Sequence, residues 1–460
     1  NCDHTDGMGA RDTGWIQIYA ENNQEVYDNF IQAYRIAEHK DVRLPIMICQ
    51  DGFITSHAVE NIELLEDAPV KAFVGEYHPE EYLLNPGKPV SVGPYAVSNY
   101  VMEGRKNQLI ALENAKQVIL DVAKEFAGIS GREYGLFEEY KTEDADYVMV
   151  IIGSAAGTAK EAVDEGFERL NQLDKLAGQN EDSDVSRINA AAGKAYVQVD
   201  PAIYEMIEYA KDYSAKSQGE WDITVGVMTN LWRIGNDDQH VPSADEISQA
   251  LMKVNYKDIL LRPEDHSVML AKPGMAIDLG GVAKGYAVDE IRKIYEKHHI
   301  ESGLINLGAS SMYAVGKTTK GKPWRIGIKH PRSDDDKSFL GIVSIENQAL
   351  STSGDYERYF IQDGVRYHHI FDPRTGYPAR SGVMSDSVVI DGSVPHAGML
   401  SDMMTTIVFV LGPQKGMELA SSMEGVNCEI TGSDNAVYMT QGFADNFSDL
   451  NSDFHLSDSE

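Results

Sequence analysis

Only three cysteines occur in this 460-residue chain, Cys2, Cys49 and Cys428. Their wide separation excludes both a disulfide framework and an iron–sulfur cluster built on closely spaced thiolates. No apolar run reaches the ~18 residues that a membrane helix requires, and the longest, YVMVII and IVFVLG, read as a core strand and a helix end. A secretory leader is also missing from the first residues, which as written points to the cytoplasm, whereas a parent carrying a leader would reverse that. Basic residues are scarce: 40 Lys and Arg face 72 Asp and Glu, a net charge of −32. That balance excludes nucleic acid and anionic membrane surfaces as partners. Neither internal repeats nor low-complexity segments are found, and the length suits two to three domains with real cores.

What the chain does have is a pair of distant segments with complementary chemistry. In AIDLGGVAKGYAVD (276–289) an apolar run ends in Asp278, breaks at Gly280 and Gly281, and passes into a helix near Ala283 to Tyr286. Backbone N–H groups at such a helix start face an anion without a side chain in the way. In SDMMTTIVFVLG (401–412), Asp402 and Thr406 are four residues apart, so a carboxylate and a hydroxyl share one helical face as oxygen ligands suited to Mg²⁺. Either segment alone also fits ordinary structure, a plain turn or a solvated helix face.

The order WDITVGVMTNLW (221–232), AIDLGGVAKGYAVD, LINLGASS (304–311), STSGDYERYF (351–360), HHIFDPRTGYPA (368–379) and SDMMTTIVFVLG resembles the FAD:protein FMN transferases of the ApbE family over about residues 167–445. The resemblance implies a metal held by Asp402, Thr406 and the main-chain carbonyl of Gly281. It places flavin dinucleotide contacts on Trp221, Asp222, Ile223, Asp278, Lys284 and His369. The implied reaction moves FMN from FAD, used as a substrate, to a Thr or Ser hydroxyl of an acceptor protein and releases AMP, with Mg²⁺ as cofactor and His369 and Asp402 as catalytic groups. Phosphoryl transfer of this kind needs positioning and charge neutralisation rather than a protein nucleophile. His369 is a phosphate or flavin contact and a proton carrier near neutral pH on one reading, and a hydrogen-bonded strand residue on the other. STSGDYERYF reads as a strand end with a small-residue turn, where Ser351, Thr352 and Ser353 cap the turn on the favoured reading and meet phosphate on the other, and Asp372 reads as a turn residue before Pro373. The family's Met-Gly-Thr step does not precede FERLNQLDKL (167–176), and Gln179 stands where a Tyr is usual. Two other outcomes therefore stay open: hydrolysis of FAD to FMN and AMP, or an impaired flavin-binding or subunit-docking remnant.

CDHTDGMGARDTGW (2–15), LPIMICQDGFITSH (44–57), LLNPGKPVSVGP (83–94) and REYGLFEEYKTEDADYVMVIIGS (132–154) resemble instead the α chain of pyruvate (2-oxoacid):ferredoxin oxidoreductases over about residues 1–165. Here the resemblance implies that Arg11 binds a substrate carboxylate, a role that suits a bidentate guanidinium. With no thiamine-diphosphate signature in the chain, oxidative decarboxylation by it alone is not expected.

The expected architecture is an α/β N-terminal fragment (1–145), a junction strand and helix (146–166), an α+β transferase domain with a mixed sheet (167–445) and an acidic tail (446–460) that is poorly ordered at its end. Helices are expected at 24–40, 107–131, 158–175, 201–217, 244–253, 283–299 and 397–411. Strands are expected at LPIMICQ, YVMVII, AIDLG, GLINLG, RIGIK, LGIVSIE and SDSVVIDG.

Overall fold

The computed structural model describes residues 4–79, 81–90, 98–143, 148–178, 182–318, 320–333, 335 and 337–457. Two compact units divide the chain, Asn1–Val163 and Asp164–Glu460.

In the first unit, two short parallel strands, Ile16–Tyr19 and Ile46–Cys49, pair in register from Ile16 and Ile46. Helices Asn23–Glu38, Asp67–Val74 and Ser98–Ser130 pack with them around Ile16, Ile31, Ile36, Phe73, Val118 and Phe126. Asp28 is fully buried on the first of these helices, but it is not alone. Arg132 Nε donates to Asp28 Oδ2 at 2.6 Å, Arg132 NH2 donates to Oδ1 at 2.9 Å, and the Tyr134 hydroxyl donates to Oδ2 at 2.6 Å. Such pairing is what lets a carboxylate sit in a core.

The second unit is built on a seven-stranded sheet. Its spatial order is His455–Leu456, Ala436–Met439, Val426–Gly432, Val383–Asp391, Gln348–Gly354, Ser311–Val315 and Gly303–Leu307. All neighbours are antiparallel except His455–Leu456, which runs parallel to Ala436–Met439, so the sheet is mixed. One face carries the helix Ala397–Leu411, of which only Thr406 and Leu411 reach beyond the buried core. An all-round apolar helix must be enclosed, and here Ala283–Lys297, Pro413–Ser422 and Pro201–Lys216 share a core with it. The opposite face covers a second core with the strands Trp324–Lys329 and Phe339–Ile345.

Most expected helices lie within two residues of their observed ends, but several other expectations are corrected. AIDLG is not a strand: Ala276 makes a single bridge to Val225, and the chain then turns because the Asp278 carboxylate accepts from Gly280 N at 2.8 Å. Residues 148–152 of YVMVII form no strand. Val148, Met149, Val150 and Ile152 are exposed, since no strand edge pairs with them among the described residues, and Tyr147 lies outside those residues. Ser351, Thr352 and Ser353 belong to the strand Gln348–Gly354 rather than to a turn. The expected acidic tail is built into the sheets instead. Phe447–Ser448 pairs with Phe339–Ile345, His455–Leu456 closes the seven-stranded sheet, and Phe454 between them is buried. The last three residues lie outside the described ones, as do Cys2 and Gln179.

Candidate functional site

Two helices, Ala283–Lys297 and Ala397–Leu411, meet at glycines. A Cβ on Gly285 would fall 2.2 Å from the Gly398 carbonyl oxygen, and one on Gly398 would fall 2.6 Å from the Gly285 carbonyl oxygen. Only glycine permits this approach. One turn beyond Gly398, Asp402 thereby reaches the start of the other helix, where its Oδ2 accepts from Gly285 N at 3.0 Å. Its Oδ1 accepts from the Ser311 hydroxyl at 3.3 Å.

Burial raises the Asp402 carboxyl above its ordinary range, while Lys284, the Gly285 amide and Ser311 each oppose that rise. Two hydrogen bonds leave lone pairs on both carboxylate oxygens. Gly281 lies beside this group: a Cβ there would stand 3.5 Å from Thr406 Oγ1 and 3.7 Å from Trp221 Nε1. Asp402 and Thr406 lie one turn apart on their helix. A carboxylate and a hydroxyl one turn apart, with the Gly281 backbone next to that hydroxyl, are hard oxygen donors of the kind that suits a divalent cation such as Mg²⁺.

Lys284 adds the positive charge. Its ammonium bonds the Ser310 hydroxyl, and Ser310 precedes the Ser311 that contacts Asp402. Lys284 thus sets a positive charge in the first turn of its helix, beside the Gly280–Gly281 break, where the helix-start amides also favour an anion. His369 lies within electrostatic reach of Lys284, and its Nδ1 is 3.3 Å from the Arg358 carbonyl oxygen. It falls one residue beyond the strand Val365–His368. Burial first, then the Arg358 charge, pushes its pKa down to about 3. The ring is therefore uncharged at neutrality.

The other expected contacts are differently placed. Trp221 and Ile223 are buried in the core, with the Trp221 indole nitrogen on the Gly281 side. The Asp222 carboxylate is committed internally: Oδ1 accepts from Thr224 N at 2.8 Å and from Thr224 Oγ1 at 2.7 Å, and Oδ2 accepts from Tyr256 N at 2.6 Å. Asp278 accepts from Thr229 Oγ1 at 2.9 Å as well as from Gly280 N, and its own amide donates to Ile223 O at 2.8 Å. Asp222 and Asp278 thus fold the loops that carry Trp221 and Gly281. Arg11 belongs to the first unit, on the turn Arg11–Thr13, where its exposed guanidinium is 3.7 Å from Asp12.

Sequence reasoning missed Asp289. This buried residue of the Ala283–Lys297 helix accepts from Gly398 N and Met399 N, both at 2.9 Å. It also missed a row of hydroxyls under the other helix. Ser351 bonds Ser401 at 2.8 Å, Ser353 donates to Thr405 at 2.8 Å, and Thr405 donates to the Asp402 carbonyl oxygen at 2.7 Å. The signal for Asp289 was a repeated spacing, GYAVD at 285–289 and GMLSD at 398–402, with Gly and Asp four apart in both helices.

Fold and site together define an α+β domain in which two helices meet at glycines and bring the buried Asp402 carboxylate to a helix start beside Lys284. The chain belongs to the ApbE family, whose profile matches residues 142–430. A relative from Treponema pallidum, an FAD:protein FMN transferase, is 34% identical over 323 residues, covering 67% of this chain and 87% of the relative. The FAD:protein FMN transferase of Klebsiella pneumoniae is 33% identical over 318 residues, covering 68% of this chain and 96% of its own length. The solved ApbE protein of Thermotoga maritima has a TM-score of 0.57 and 34% identity, covering 63% of this chain and 92% of that one. Residues 1–124 match a second family, pyruvate flavodoxin/ferredoxin oxidoreductase, thiamine diphosphate-binding. There the pyruvate synthase subunit PorA of Thermotoga maritima is 50% identical over 165 residues, or 36% of this chain. The chain spans about two fifths of the length of that relative, 42%.

Proposed function

We propose that this protein is a Mg²⁺-dependent FAD:protein FMN transferase acting on a Thr or Ser hydroxyl of an acceptor protein. The observation that carries the reading is the convergence of Asp402, Thr406 and Gly281 beside Lys284 at the start of one helix. In the proposed reaction the acceptor oxygen forms a bond to the FMN-side phosphorus of FAD. The bond from that phosphorus to the bridging oxygen breaks, AMP leaves with the electron pair, and the hydroxyl proton is lost to a base. Asp402, Thr406 and the Gly281 carbonyl would hold Mg²⁺, which when bound neutralises pyrophosphate charge. Lys284 binds the same charge from the helix start, and Trp221 and Ile223 wall the flavin side. His369, uncharged at neutrality, takes the hydroxyl proton in this reading. Asp222 and Asp278 keep their loops in shape.

Residues 1–145 are proposed to be a fragment of the oxidoreductase α chain joined to the transferase through 146–166. In such a fragment Arg11 would be a relic of substrate carboxylate binding.

The test is AMP release from FAD with and without Mg²⁺ in the presence of a Thr-containing acceptor peptide, followed by in-gel flavin fluorescence. Metal-dependent AMP with a fluorescent peptide is expected. AMP with free FMN would mark the site as a hydrolase, and no AMP despite FAD binding would overturn the catalytic reading.

A further inference from the structure

The Gly285–Asp289 and Gly398–Asp402 pairs form one device. Neither site helix caps its own start: Val282 and His396, the residues that precede them, make no side-chain capping hydrogen bond. Yet Gly285, Gly398 and Met399 are buried, and buried helix-start amides require acceptors. Each helix supplies the other's. Asp402 takes Gly285 N, and Asp289 takes Gly398 N and Met399 N, with the glycine contact between them. The two aspartates differ in one respect. Asp289 spends an oxygen on each of two amides, whereas Asp402 accepts one amide and one long hydroxyl bond and so keeps acceptor capacity on both oxygens.

We infer that Asp289 is a positioning residue for the cation site, fixing the start of the Ala397–Leu411 helix so that Asp402 and Thr406 stand at Gly281. This rests on the proposed metal role of Asp402. A carboxylate at two helix-start amides is favoured by both hydrogen bonding and the helix dipole. An amide side chain in its place turns an N–H toward an N–H and lets the helix shift.

The experiment is Mn²⁺ binding, followed by the electron paramagnetic resonance signal of free Mn²⁺, on the full chain and its D402N and D289N variants well below their unfolding midpoints. D402N is expected to abolish binding. D289N is expected to weaken it about tenfold or more, while FAD binding without metal, read by flavin fluorescence, changes less than twofold. Normal Mn²⁺ binding by D402N would sink the functional reading itself. Loss in D402N with unchanged binding in folded D289N would overturn only the inference about Asp289. Should D289N fail to fold, amide hydrogen exchange of the unsubstituted protein decides. Mn²⁺ should slow exchange at Gly398 and Met399 together with Gly285, and slowing at Gly285 alone would disprove the coupling.

Discussion

Asp386 and Glu429 are wholly buried on adjacent strands, and neither has a cation beside it in the described structure. Both Asp386 oxygens and one Glu429 oxygen lack a hydrogen-bond partner, while the other Glu429 oxygen accepts from Thr431. Desolvation raises both carboxyls, Glu429 to about 8 and Asp386 well above its ordinary range, where Glu429 adds to the effect. Glu429 is therefore a proton-bearing acid at mild pH, and the two acids also help to raise Tyr356 and Cys428 nearby. A proton kept by the folded chain and released by the unfolded one makes stability fall as pH rises from about 4.5 to about 8, then level off. Urea unfolding at pH 5 and pH 8 should show that fall in the unsubstituted protein, and E429Q should flatten it and be relatively more stable at pH 8. An equal fall in both proteins would refute the assignment.

At the level of elements, the tightest constraint is the crossing of the two site helices. In G285A, a methyl group must enter where the Gly398 carbonyl oxygen and Asp402 Cβ already stand, at 2.2 and 2.7 Å. Overpacking of this kind costs about 1–3 kcal/mol, so the unfolding midpoint should drop by about 5 °C, read by calorimetry. Gly166, where a Cβ would meet only Ile291 Cδ1 at an ordinary 3.5 Å, is the control site for the assay. The helices themselves were legible because their apolar periodicity and end signals are local. AIDLG was not: its apolar run fits a strand, but Asp278 bonds Gly280 and Thr229 and turns the chain before a ladder forms. YVMVII failed for the complementary reason, since a strand needs a partner edge and sequence periodicity does not supply one. The residues proposed as cation ligands were singled out through family motifs, whereas Asp289 was hidden because its partners are backbone amides more than a hundred residues away.

For the whole molecule, the organising fact is the division into two units with separate cores. The transferase ligands named above all fall in the second. R11A, an exposed change in the first unit, should leave metal-dependent AMP release from FAD within about twofold of the unsubstituted rate; abolished release would show that the two units do not act separately. No helix among the described residues is long and apolar enough to cross a membrane. One family profile ends at residue 124 and the other begins at residue 142, while the PorA likeness runs over 165 residues, so the changeover lies upstream of both site helices. The exchange of aspartates between the site helices gives that location a meaning for inheritance. A recombination falling between residues 289 and 398 would bring together helices from different parents, each depending on an acid the other has to carry. A crossover near the observed changeover transmits both together, as a single heritable unit.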